Sequence, residues 1–201
     1  MTYNLHEFLR SRRSVRSFRP DPIPEAVLQR IIETATYAPS AHNKQPWRFI
    51  VLTGSDARSR LAKAITGKFR FDMLADGTSD AEIQARVERT VRRVKEAPVV
   101  IVLCRDVTQV NSQPDAIRQE AEATMGIQSV ALAGLQLLLA AQVEGLGGTW
   151  ICWPLFTLQA TRAALELPAD WEPQAMIFLG YSAEQPVTPE RKPIQEIVRY
   201  L

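Results

Sequence analysis

Arg12, Arg13, Ser14 and Arg16 place three guanidinium groups and one hydroxyl within a stretch of five residues. A guanidinium offers a planar fork of donors that meets two phosphate oxygens at once, and a neighbouring hydroxyl adds a further short bond. An organic phosphate is the first ligand such a run suggests. The same arginines could instead compensate the dipole at the end of a preceding helix, and residue type alone leaves the two possibilities even. A second stretch, Pro39, Ser40, Ala41, His42, Asn43, Lys44, Gln45, Pro46 and Trp47, combines a proline brake at a helix exit with small donors and acceptors, directly before a strand-like run. Such a loop can hydrogen-bond a flat heterocycle, and Asn43 can both donate and accept. Ser40 also suits a helix cap, and His42 reads as an exposed loop histidine rather than an acid or base.

The elements that must position these groups follow from periodicity. Leu5, Phe8 and Leu9 have helical spacing and lead into the arginines. A second helix opens at Asp21, Pro22, Ile23 and Pro24, with Pro24 in its first turn and Val27, Ile31, Ile32, Ala35 and Ala38 facing inward. Pro39 stops it. Residues 47–53 read as a strand and 55–65 as a short helix. Residues 68–79 have no period and contain Gly77, which predicts a mobile crossing segment of the kind that covers pockets. Residues 80–96 form a charged helix with a narrow stripe of Ile83, Val87, Val91 and Val94, and Arg86, Arg89, Arg92 and Arg93 on its other side are expected to face water. Residues 99–103 read as an apolar strand, and 115–143 as the longest helix, apolar nearly all round and therefore the core of the fold or of a dimer. Strands at 149–152 and 174–179 flank a helical stretch at 157–167. The proline-containing tail from Ser182 is expected to wrap a neighbour. Helices and strands mix without regular alternation, so the fold class is α+β.

A chain of 201 residues with 46% apolar content can close one good core, and one domain over 1–201 is expected. Lys and Arg number 24 against 22 Asp and Glu, a net charge of +2 that gives no general attraction to nucleic acid. Cys104 and Cys152 both lie in apolar strand-like runs, which predicts buried thiols in a reducing, cytoplasmic setting. The stretch 1–13 lacks the apolar middle of a secretion signal. Residues 125–143 are the one membrane candidate, but Gln128, Ser129, Gln136 and Gln142 interrupt them, so a buried helix is expected and no membrane partner. Two histidines and two scattered cysteines lack the spacing of a metal site. Gly145, Gly147 and Gly148 follow a helix and precede a strand, the reverse of a dinucleotide turn.

At its arginine-rich and Pro39–Trp47 segments the chain resembles the nitroreductase family of FMN-dependent oxidoreductases. The stretches 121–141, 146–156 and 165–181, followed by Arg191, Lys192 and Pro193, extend the likeness over nearly the whole length. It is nearest in flavour to the nitroreductase-like C-terminal domain of bacterial coenzyme F420 gamma-glutamyl ligases, without a ligase half. The resemblance implies a mainly antiparallel sheet flanked by helices and an intertwined homodimer with flavin sites at the subunit interface. It implies that Arg12, Arg13, Ser14, Arg191 and Lys192 hold the FMN phosphate, with Arg16 near the ribityl chain or pyrimidine edge. It further implies that Pro39, Ser40 and Asn43 reach the flavin from the second subunit, and that Cys152, Trp153 and Pro154 pass against the isoalloxazine.

The implied activity is hydride transfer from NADH or NADPH through flavin N5 to a nitroaromatic, quinone or conjugated alkene, with position and electrostatics supplied by the protein rather than an acid or base residue. Two other functions fit the same likeness: an enzyme binding an F420-type deazaflavin or reducing its precursor, and a flavin-binding module without turnover. Two residue assignments have plainer alternatives: Arg191 and Lys192 also suit a surface basic pair, and Trp150 and Cys152 also suit strand core. Trp153 and Phe156 are in a position to narrow the pocket.

Overall fold

The computed structural model describes residues 4–201, and residues 1–3 of the N-terminal stretch read as helical lie outside them. Its centre is β2 (Val99–Asp106), apolar without alternation up to Cys104 and buried at every position. That pattern requires cover on both faces. β2 lies between β1 (Trp47–Leu52) and β4 (Trp171–Gly180), with β3 (Gly147–Ile151) on the far edge of β4, giving the order β1-β2-β4-β3 with every pairing antiparallel. Pro173 stands opposite Cys104, where the register slips between Leu103 and Cys104. A proline has no N–H for the ladder, so a bulge is where a strand tolerates it.

Alternate residues of the sheet feed two cores. One gathers Ile101, Leu103 and Ile177 against Leu28, Ile31 and Ala35 of α2 (Glu25–Ala35) and Leu137 and Ala141 of α5 (Ala116–Val143). The other gathers Val100, Val102, Met176 and Phe178 against Leu61 and Ile65 of α3 (Ser55–Ala75) and Val94 of α4 (Asp80–Glu96). Leu28 takes the buried place on α2 that Val27 was expected to hold, and Pro24 is the residue before the helix rather than in its first turn.

The expected crossing segment at 68–79 is a correction. Residues 68–75 complete α3, which runs 21 residues, and the chain turns at Asp76, Gly77 and Thr78 before α4. Phe69 supplies the reason, since its ring packs edge-on against Trp153, 6.1 Å between centroids, a contact no local period reveals. Ser79 then opens α4 with a capping box to Glu82. Arg58 of α3 donates to the carbonyls of Ala97 and Pro98 just beyond the end of α4.

α5 is long and apolar enough to cross a membrane by composition, but it packs on α2 and the sheet, burying Gly126, Ser129, Ala133, Gly134, Leu137, Leu138 and Ala141. Its other side leaves Ile127, Leu132 and Leu135 between 42% and 47% exposed. Gly134 is where α5 touches the sheet most closely. A Cβ there would stand 2.2 Å from a ring carbon of Trp150 and 2.8 Å from Leu103.

Asp106 closes β2 with a buried carboxylate that accepts from the amide of Thr108 at 3.0 Å, its hydroxyl at 2.6 Å and Arg48 at 2.6 Å. Burial is the largest single influence and opposes ionisation, but the Thr108 bonds and the Arg48 charge together outweigh it and hold the Asp106 pKa below its ordinary value. A depressed folded pKa contributes stability that is complete above the unfolded value and is lost as pH falls through the folded one, so the loss is confined to below about pH 4. Asp106→Asn is expected to flatten the acid limb of a stability–pH curve measured by urea unfolding; an unchanged limb would refute the assignment.

Candidate functional site

The arginine-rich segment follows α1 (Leu5–Ser11), whose Leu5 and Leu9 stay exposed. It does not end as a free tail of that helix. Ser14 forms a parallel bridge with Gly148, and the Val15 amide donates to the Gly148 carbonyl at 3.1 Å, so the segment lies along the open edge of β3. Gly147 permits the approach, because a Cβ there would stand 2.5 Å from Val15. Val15 is buried, which turns its neighbours outward.

Two cavities adjoin at this edge. The larger, about 360 Å³, is lined by Arg12, Arg13, Leu138, Gln142, Gly145 and Ser182 among others, and the second, about 260 Å³, by Arg12, Ser14, Ala131, Leu135, Leu138 and Trp150. Arg12 and Leu138 belong to both. Among the described residues neither the Arg12 guanidinium nor the Ser14 hydroxyl makes a hydrogen bond, leaving both donors available at the junction. Gln142 donates its amide nitrogen to Ser11 Oγ at 2.7 Å and to the Phe8 carbonyl at 3.0 Å, while its Oε1 is buried without a partner. The Glu184 carboxylate accepts from the amides of Arg16 and Ser17 at 2.8 and 3.2 Å and ties the chain after β4 to the same segment.

The other arginines are differently placed. Arg13 donates to the carbonyls of Arg10 and Arg12 at 2.5 and 2.9 Å and to Thr188 Oγ1 at 3.2 Å, so its fork is largely spent on the end of α1 and on the tail. Arg16 donates to the Ser14 carbonyl at 3.3 Å. Arg191 and Lys192 are exposed and line neither cavity, though Thr188 brings their tail to Arg13. Cys152 is exposed at the start of α6 (Trp153–Phe156) and accepts from Trp150 Nε1 at 3.0 Å, a correction to the expected buried thiol, since β3 ends one residue earlier. Cys104 fits that expectation, with burial pushing its pKa up to about 12. Trp153 turns its ring inward between Phe69 and Phe178 rather than over a pocket, Pro154 is buried, and Phe156 is 68% exposed.

The Pro39–Trp47 segment lies elsewhere on α5. Residues Ala41–Asn43 make a single tight turn, and His42, Asn43 and Gln45 all have positive φ. Non-glycine residues accept that conformation when surrounding bonds enforce it. Here Ser40 Oγ accepts from the Gln45 amide at 3.1 Å, Asn43 Oδ1 accepts from Gln45 Nε2 at 3.2 Å, and Ser129 Oγ of α5 accepts from the Ala41 amide at 3.2 Å. Glu122, nearly buried on α5, accepts from the Asn111 amide at 3.1 Å and from Gln113 at 3.0 Å, and lies 3.8 Å from His42. The Asn111 amide bond leads the causes that lower the Glu122 pKa, against opposing burial. Glu122→Gln is expected to quicken amide exchange at residues 41–45 and 111–113 roughly 2- to 10-fold, read by hydrogen–deuterium exchange. Equal rates in both proteins would remove Glu122 from any role in holding these loops.

Ser129 and Leu138 are nine residues apart, so the loop's anchor and the Arg12 cavities stand about 13 Å apart along the helix. Within one chain, Pro39, Ser40 and Asn43 therefore line neither cavity. Sequence reasoning passed over Leu138, Glu122 and Glu184, and it left Trp150 between the flavin-side segment and strand core. Ser129 and Gln142 had been noticed as interruptions of an apolar run, and these interruptions are the residues that bond the loop and the cavity.

The Nitroreductase family profile matches residues 9–181. The chain belongs to the nitroreductase family. An NADH dehydrogenase of Thermus thermophilus is 33% identical, covering 93% of this chain and 91% of that protein. A 5,6-dimethylbenzimidazole synthase of Rhodospirillum rubrum is also 33% identical, over 89% of this chain and 82% of its own length. Among solved structures, the NADPH:FMN oxidoreductase from Vibrio harveyi complexed with NAD+ shares the fold with a TM-score of 0.76 at 23% identity, covering 98% of this chain and 77% of that one. The expected α+β class and antiparallel sheet flanked by helices agree with this family's fold.

Proposed function

We propose that the chain is an FMN-dependent oxidoreductase that takes hydride from NADH or NADPH and passes electrons to a nitroaromatic, a quinone or a conjugated alkene. The observation that carries this is the pair of unengaged donors, Arg12 and Ser14, at the junction of two cavities on the edge of β3. FMN, when bound, supplies the two-electron carrier at N5. Arg12 and Ser14 fit its phosphate, and the unpartnered Gln142 Oε1 fits a hydroxyl of its ribityl chain. Arg16 supplies a fixed positive charge near the pyrimidine edge, where negative charge gathers on reduction. Arg13, Arg191 and Lys192 add positive charge from the tail side. Cys152, Trp153 and Pro154 stand at the end of β3, where the backbone N–H groups of Cys152 and Trp153 can approach the ring.

The site is proposed to be completed by a second copy of the chain. Ile127, Ala131 and Leu135 recur every four residues on the exposed side of α5, an apolar face that pairing would cover, and Ala131 and Leu135 also line the Arg12 cavity. The 39–45 loop of that copy, with Pro39, Ser40 and Asn43, then supplies the remaining hydrogen bonds. The single-domain organisation over 1–201 and a cytoplasmic location belong to the same proposal.

The test is the absorption spectrum of the purified protein, followed by NADPH oxidation with menadione. A colourless protein that gains no flavin band on addition of FMN defeats the proposal. The identity shared with a 5,6-dimethylbenzimidazole synthase favours a second function, which detection of 5,6-dimethylbenzimidazole from the flavin-loaded enzyme supplied with NADPH in air would establish. A deazaflavin titration separates the F420-type alternative, and flavin binding without oxidation of any donor separates a module without turnover.

A further inference from the structure

Of the residues that line the larger cavity, Glu184 alone is acidic, and it shares that lining with Arg12 and Arg13. A carboxylate in a cavity suited to a phosphate opposes the ligand by charge, so its presence there needs another reason. The hydrogen bonds supply one. A single oxygen of Glu184, Oε1, accepts from two successive backbone amides, that of Arg16 at 2.8 Å and that of Ser17 at 3.2 Å. Two convergent N–H groups favour an anionic acceptor at their focus. Glu184 is itself held by Ser182, whose Oγ donates to the Glu184 carbonyl at 2.5 Å and accepts from the Glu184 amide at 3.3 Å.

These bonds belong to a longer strap. Beyond β4 the chain runs beside residues 17–19: the Arg19 amide donates to the Tyr181 carbonyl at 2.9 Å, Phe18 and Ser182 form an antiparallel bridge, and the Ala183 amide donates to the Ser17 carbonyl at 3.0 Å. On the other side the same run is tied to β3 through Ser14 and Val15. Glu184 bonds the two residues directly after Val15, where the run leaves β3 for the strap. Arg12 and Ser14 lie just before that point, and their side chains make no hydrogen bond among the described residues. Their aim therefore depends on the backbone that carries them.

We infer that Glu184 is a positioning residue: its Oε1 fixes the backbone of Arg16 and Ser17 and thereby aims the Arg12 and Ser14 donors at a terminal phosphate. The inference rests on the flavin function proposed above and adds to it a side chain that acts through others. Glu184 works here as an acceptor, not as a charge, which sets two replacements apart. Glutamine keeps an acceptor oxygen without the charge, and alanine has neither.

Titration of the flavin-free protein with FMN and with riboflavin, followed by flavin fluorescence, reads the phosphate contribution as the ratio of the two affinities. Glu184→Ala is expected to bind FMN about 5- to 30-fold more weakly and to change riboflavin binding by less than about 3-fold. Glu184→Gln is expected to stay within about 3-fold of the unaltered protein for FMN. Deuterium uptake at residues 14–19 of the flavin-free protein is expected to quicken about 10-fold or more in the alanine variant and not in the glutamine one. Equal losses for FMN and riboflavin overturn the inference, because general loosening of the chain produces that pattern. Unchanged or tighter FMN binding in the alanine variant overturns it too, since the carboxylate then only opposes the phosphate. A glutamine variant as weak as the alanine one does the same. If the unaltered protein binds neither flavin while the uptake pattern is as stated, Glu184 holds the run and the flavin function is what fails.

Discussion

Arg12→Gln is expected to weaken FMN binding about 10- to 150-fold, because one charge-assisted hydrogen bond to a phosphate is lost and such a bond contributes about 1.5–3 kcal/mol. The Arg12 guanidinium makes no hydrogen bond within the described residues, so its removal takes nothing from the fold, and the unfolding midpoint of the flavin-free protein should not move. Arg13→Gln supplies the contrast. Arg13 holds the carbonyls of Arg10 and Arg12 and the hydroxyl of Thr188, so its loss should free the tail and loosen the end of α1. Fluorescence titration with FMN separates the two variants. Should Arg12→Gln bind FMN as tightly as the unaltered chain, Arg12 does not hold the phosphate.

Gly134→Ala is expected to destabilise the protein by about 1–3 kcal/mol, while Gly67→Ala is expected to stabilise it by up to about 1 kcal/mol. Both glycines lie inside helices, and both changes gain the same helix propensity. Space decides the sign. Around Gly67 nothing lies within 4 Å of an added Cβ, whereas at Gly134 that atom would stand 2.2 Å from the Trp150 ring and 2.8 Å from the fully buried Leu103. Trp150 has room to move toward solvent, but it lines the cavity shared with Arg12 and Ser14, so any such movement should also lower flavin affinity. Urea unfolding measures the first effect and flavin titration the second. Equal stability shifts at the two positions would show that α5 packs less tightly on the sheet than described.

Much of the fold was legible in the residues because it depends on near neighbours. The unbroken apolar run at 99–103 announced the strand β2, and the stripe of Ile83, Val87, Val91 and Val94 announced α4. The length of α3 was not legible. Residues 68–75 have weak periodicity, and their helix is supported by Phe69 packing on Trp153, which is 84 positions away in the chain. Cys152 failed for a smaller reason, a strand boundary displaced by one residue that turns a buried position into an exposed one.

The sequence by itself determined that a guanidinium-rich run, a proline-braked polar loop and a long apolar helix exist, since residue type and local period suffice for each. Only the tertiary structure decided that Ser14 and Val15 lie on the edge of β3, that Arg13 is spent on the tail, and that Ser129 and Gln142 face the two halves of the candidate site. Those arrangements depend on hydrogen bonds and close contacts between residues more than eighty positions apart, where local pattern carries no information.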